Sequence, residues 1–151
     1  MKIGSRLKKL ILPAICAFAA LGHAETSVQH PARLAWWRER WRNELVPHAA
    51  IVIAEMAGHM VGFVTLDEDG YLDQLVVAPE HWGSQAATLL LDEAKRRAPN
   101  GVTLHVNRDN ARAIRFYERN GFVHAGDSVN STSGRPVLKM QWKAIPSSLD
   151  T

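Results

Sequence analysis

Two stretches of this chain carry residue types and spacings that could do chemistry. The first is Leu75–Leu91, LVVAPEHWGSQAATLLL. An apolar run ends at Pro79, turns through Gly83 and passes into a segment with helical spacing. Such a turn aims several backbone N–H groups at one point, and the helix dipole adds partial positive charge there. It is a natural cradle for phosphate or pyrophosphate. Taken alone, a strand–turn–helix joint with one glycine is more often simply a joint. The second stretch is Asn110–Phe122, NARAIRFYERNGF, which opens on a helix-capping residue and closes on Asn-Gly. The histidines offer less. No two sit at metal-binding spacing, so His59, His81 and His105 read as strand or loop residues and no metal is expected.

These stretches need elements to position them. Leu34, Trp37, Trp41 and Leu45 form one apolar stripe, which predicts a helix over Pro31–Val46. Ala50–Met56 and His59–Leu66 are β-branched runs joined by Ala57-Gly58, so they read as a hairpin. Asp67–Gly70 is a second turn, leading to a third strand over Tyr71–Val77. A helix is predicted over Ser84–Arg97, a strand over Val102–Val106 and a helix capped by Asp109 or Asn110 that stops at Asn120-Gly121. Phe122–Ala125 reads as a short strand, Gly126–Arg135 as a polar loop and Val137–Trp142 as a half-exposed last strand. The fold class is therefore α/β: an antiparallel meander passing into β-α-β units, as one mixed sheet with helices on both faces.

Composition narrows the function classes. The chain has 151 residues, 46% of them hydrophobic and 22% charged, which suits a single globular domain. The net charge is +3, yet Lys2, Arg6, Lys8 and Lys9 fall in the first nine positions. From Glu25 onward there are 18 − 4 = 14 basic against 15 acidic residues. The basic excess belongs to the N-terminus, and the case for a nucleic-acid partner falls away. The single cysteine, Cys16, has no internal partner.

Residues 1–24 pose their own question. A cationic start is followed by an apolar run over Leu10–Gly22, and small residues precede Glu25. This is the layout of a secretory signal peptide, with a run too short for a stable membrane span. The alternative is a first helix of the fold. The domain organisation is accordingly 1–24 as leader or first element and 25–151 as the main domain, or 1–151 as one domain.

Taken together, the two stretches resemble the GNAT superfamily of acetyl-CoA-dependent N-acetyltransferases. In that family a strand ending L-x-V-x-P is followed by a loop of the form [QR]-x-x-G-x-[GA] and a helix with paired leucines. Leu75, Val77, Pro79, Gly83, Ala87, Leu90 and Leu91 fall in register. The family's later helix reads N-x-x-A-x-x-F-Y-x-x-x-G-F, and Asn110, Ala113, Phe116, Tyr117, Gly121 and Phe122 match it without a gap. The resemblance covers roughly residues 50–143.

It implies acetyl transfer from acetyl-CoA to a primary amine by direct attack in a ternary complex. A neutral amine must attack the thioester, a donor must stabilise the oxyanion, and the departing thiolate needs a proton. The resemblance puts Tyr117 in the last role and Asn110 on the pantetheine arm. It places Val76, Val77, Trp82, Gly83, Ser84, Gln85, Ala86 and Ala87 along the co-substrate. The plainer alternatives are a core tyrosine and a helix cap, and Gly121 is a C-cap in either case. Asp73, on the third strand, is the candidate base, and a solvated strand-edge carboxylate is its alternative.

Trp82 stands where the family usually has Arg or Gln, and Gln85 where it usually has Gly. A glycine there lets the backbone approach the pyrophosphate closely. These departures leave open a non-catalytic acyl-CoA-binding relative, and residues 1–24 leave open an exported binding domain. Because acetyl-CoA is cytosolic, the expected compartment is the cytoplasm. The acceptor is a small-molecule or peptide amine, and the reading leaves room for a homodimer.

Overall fold

The computed structural model describes residues 2–4, 39, 49–131 and 133–144. The helix expected over Pro31–Val46 lies outside these residues except for Glu39, and so do the apolar segment Leu10–Gly22 and Cys16. The chain divides into two compact units, Met1–Ala94 and Lys95–Thr151.

The first unit is an antiparallel meander. Its strands are β1 (Lys2–Gly4), β2 (Ala49–Met56), β3 (His59–Asp67) and β4 (Tyr71–Val77), paired in that order. Ala57 and Gly58 take φ of 53° and 79°, the two positive values that a tight two-residue hairpin requires. At the next turn, Asp67 Oδ1 accepts from the N–H groups of Asp69 and Tyr71 at 2.9 Å each. That side-chain cap lets the chain reverse into β4. β1 pairs with β2 through Lys2↔Glu55, Ile3↔Ala54 and Gly4↔Ile53.

β3 is buried continuously from Val61 to Leu66. That pattern belongs to a strand covered on both faces, not to one with a wet side. Phe63, Val64, Leu90 and Leu91 are fully enclosed. Helix α1 (Ala86–Arg97) presents Ala86, Leu90, Leu91 and Ala94 as its buried stripe. Gly62 lets that helix come close: a Cβ there would lie 2.7 Å from the Val76 carbonyl and 3.1 Å from Leu90 Cδ1.

The second unit contains β5 (Val102–Asn107), α2 (Ala111–Arg119), β6 (Val123–Val129) and β7 (Pro136–Trp142), with the strands ordered β5-β7-β6 and antiparallel. Asn110 Oδ1 accepts from Ala113 N at 3.2 Å and caps α2. Gly121 ends it with φ 89°, while Gly121 N bonds the Glu118 carbonyl and Phe122 N the Tyr117 carbonyl. This is the paired C-terminal pattern that satisfies the last carbonyls.

β6 corrects the sequence reading. The short strand Phe122–Ala125 and the loop Gly126–Arg135 become one strand to Val129 and a loop from Asn130 to Arg135. All seven β6 residues are exposed, so VHAGDSV carries no apolar alternation to betray a strand. Pairing with β7 makes it one, across a bulge between His124 and Gly126. Arg108 Nη2 also donates to Asp127 Oδ1 at 2.6 Å, holding that carboxyl below the usual range. No described helix is long and apolar enough to cross a membrane.

Candidate functional site

In the first unit the candidate site is the joint between β4 and α1. Val76 is buried and Val77 half-buried where the strand ends, and Ala78 N returns to the Val61 carbonyl at 2.9 Å. Pro79 opens a single 3-10 turn, Pro79–His81, and Trp82 N bonds the Pro79 carbonyl. The chain reverses at Gly83, whose φ of 82° disfavours any side chain, with open space where a Cβ would stand.

Ser84 then reaches forward, its Oγ accepting from Ala86 N at 3.2 Å, and α1 begins. The first N–H groups of a helix lack intrahelical partners. The first turn of α1 holds no acidic residue, and its last turn holds Lys95, Arg96 and Arg97. The N-terminal end is thus free of competing negative charge in its first turn, as an anion requires.

The two departures from the family pattern resolve differently. Trp82 folds back so that its indole Nε1 donates to the Val77 carbonyl at 2.8 Å, leaving the residue 47% exposed. Gln85 is exposed and outside the positive-φ region, and its carbonyl accepts from Leu89 N. The backbone conformation at 85 does not itself demand glycine. The reversal is taken at Gly83.

Asp73 sits in an unusual place on β4. Thr65 pairs with Gln74 and Leu66 with Leu72, so Asp73 is the extra residue of a β-bulge. Gln74 N donates to Thr65 Oγ1 at 3.0 Å, and Gln74 Nε2 donates to Asp73 Oδ2 at 3.2 Å. Neighbouring side chains on a regular strand stand on opposite faces. The bulge brings these two together. Asp73 is half-buried, not a fully solvated edge group.

In the second unit, Tyr117 is the buried residue of α2, with 9% of its surface exposed. Its ring meets Phe116 and Phe122 edge-on, at centroid distances of 5.3 and 5.5 Å. Burial disfavours the phenolate and pushes the phenol well above the ordinary tyrosine range. Tyr117 therefore carries its proton throughout the physiological range. Asn110 has its side-chain oxygen committed to the cap, while an amide side chain also has two N–H donors.

Thr65 and Gln74 were not singled out from the sequence. The signal available was a lone hydroxyl within the apolar run HMVGFVTL. Thr65 is the one polar side chain among the fully buried described residues.

The turn at Gly83 onto the N-terminus of α1 is an arrangement that could hold a phosphate group. The family can be stated. Residues 16–122 match the acetyltransferase (GNAT) family, and the chain belongs to it. It is 30% identical over 95 residues to peptidyl-lysine N-acetyltransferase YjaB of Salmonella typhimurium, covering 62% of this chain and 64% of that protein. The match thus spans less than two thirds of that relative's length. Among solved structures, the fold is shared with the histone acetyltransferase HPA2 and related acetyltransferase from Corynebacterium glutamicum. The TM-score is 0.78 at 18% identity, over 97% of this chain and 98% of that one. PaiA N-acetyltransferase from Thermoplasma acidophilum, solved in complex with coenzyme A, gives 0.67 at 20% identity, over 95% and 99%.

Proposed function

We propose that this protein transfers an acetyl group from acetyl-CoA to a primary amine, with a lysine side chain in a peptide as the favoured acceptor. The observation that carries the reading is the joint after β4. There Gly83 reverses the chain at φ 82°, and α1 begins without an acidic residue in its first turn. Membership of the GNAT family and the name of the Salmonella relative support the reaction and the acceptor.

The chemistry divides among this chain's own groups. The turn from Gly83 to Ala87 holds the pyrophosphate through backbone N–H groups and the helix dipole. Val76 and Val77 lie along the acyl-pantetheine, and Asn110 binds that arm through its amide nitrogen. The amine nitrogen attacks the thioester carbon and the C–S bond breaks. The amine proton passes to Asp73, and Tyr117 protonates the leaving thiolate. Because burial keeps Tyr117 neutral, it arrives at that step as a donor. Such a reaction draws its donor from the cytosol, which we take as the compartment.

A second reading has its own support. Gln85 replaces the usual glycine, and the Trp82 indole occupies the Val77 carbonyl. A chain that binds acyl-CoA without turnover would fit both. Calorimetry with acetyl-CoA, followed by thiol release with lysine peptides, free amino acids and polyamines, separates the two. Binding with thiol release on lysine peptides is expected. Binding without release on any amine selects the second reading, and no binding at millimolar ligand removes both.

A further inference from the structure

We infer that Thr65 is a positioning residue, whose buried hydroxyl fixes the β4 bulge and thereby aims the Asp73 carboxylate. The inference rests on the proposed acetyl transfer with Asp73 as proton acceptor. The geometry is specific. A bulge takes a backbone N–H out of its ladder, and a buried N–H left without an acceptor is strongly disfavoured. Here the N–H is that of the half-buried Gln74, and its acceptor is the enclosed Thr65 Oγ1 at 3.0 Å. Thr65 is completely enclosed on β3, a strand otherwise apolar from Val61 to Leu66. Valine has the same shape and would suit that environment, so packing gives no reason for a hydroxyl. The bulge does.

The consequence reaches the carboxylate. With the bulge in place, Gln74 can turn its side-chain amide onto Asp73 Oδ2 at 3.2 Å. In a regular strand the two side chains would diverge to opposite faces. A chain of contacts therefore runs from Thr65 Oγ1 to the Gln74 backbone, and from the Gln74 side chain to Asp73. Loss of the first link lets the strand revert toward regular pairing and moves the carboxylate. Displacement of a reacting group by about 1 Å can lower a rate about a hundredfold.

The test compares three substitutions in the full chain, with lysine peptide as acceptor. Thr65→Val is expected to lower kcat by about tenfold or more while leaving the calorimetric Kd for acetyl-CoA within about twofold. Thr65→Ser, which restores the oxygen, is expected to return most of kcat. Asp73→Asn should lose at least as much kcat as Thr65→Val. Wild-type kcat in Thr65→Val beside a crippled Asp73→Asn overturns the positioning role alone. Wild-type kcat in Asp73→Asn overturns the role of the carboxylate, and this inference with it. If Thr65→Val does not fold, Thr65→Ala serves as the hydroxyl-free variant, with the same kcat, Kd and serine-rescue readouts. An unchanged kcat there overturns the inference, and a selective fall in kcat upholds it.

Discussion

Tyr117 has a burial and an ionisation that pull in one direction. The rings of Phe116 and Phe122 enclose it and burial raises its pKa, so it holds its proton but gives it up less readily than a free phenol. A thiolate with a conjugate pKa of about 8.5 is a weak base against such a donor. In the proposed reaction the proton would therefore move late, as the C–S bond breaks. Tyr117→Phe should lower kcat by about a hundredfold or more with little change in acetyl-CoA affinity, as steady-state kinetics beside calorimetry would show. Equal turnover would return Tyr117 to a purely packing role. The same burial has a pH consequence. Below the ordinary value of about 10, both the folded and unfolded chains keep this proton. Above it, the unfolded chain ionises while the folded one does not, so folding stability falls as pH rises, by up to about 1.4 kcal/mol per pH unit. Melting curves between pH 9 and 11 should decline less steeply in Tyr117→Phe than in the parent.

Elements decide how closely the backbone can approach a ligand or another element. Gly62 is the clearest case, because a Cβ would meet the Val76 carbonyl at 2.7 Å and Leu90 at 3.1 Å. The carbonyl is backbone and cannot swing aside. Gly62→Ala should cost about 1–3 kcal/mol in urea unfolding. It should also disturb α1, whose Leu90 would have to move. The loop entering that helix gives the converse prediction. Gln85 is exposed and at ordinary φ, so glycine there would relieve no strain but would allow closer approach of phosphate. Gln85→Gly should tighten acetyl-CoA by severalfold, the equivalent of one added hydrogen bond worth about 0.5–1.5 kcal/mol. Unchanged or weaker affinity by calorimetry would show that the turn already meets the phosphates without it.

For the molecule as a whole, residues 1–24 pose the remaining question. Lys2–Gly4 pairs along β2, opposite Ile53, Ala54 and Glu55. Removal of β1 would leave that strand an open edge beside buried Ile53 and Ala54. We therefore propose that Lys2–Gly4 belongs to the fold, and that a 25–151 fragment melts lower by about 2–4 °C for each kcal/mol lost. An unchanged melting temperature would favour the leader reading.

Much of the architecture was legible because its signals are local. Ala57-Gly58 specifies a hairpin, Asn110 a cap, Gly121 a helix end and Pro79 a strand end, each through the φ values or hydrogen bonds of a few neighbouring residues. The two site stretches were legible for the same reason, since each is a continuous segment whose turn and helix are written in adjacent positions. Two features were not local, and tertiary structure decided them. β6 extends to Val129 only because β7 supplies its partners. Asp73 stands out of register because Thr65, nine residues before Gln74, holds the displaced N–H. Residue type and spacing determine which groups a segment can offer. Which of those groups meet is set by strand register, and register depends on hydrogen bonds to residues distant in the chain.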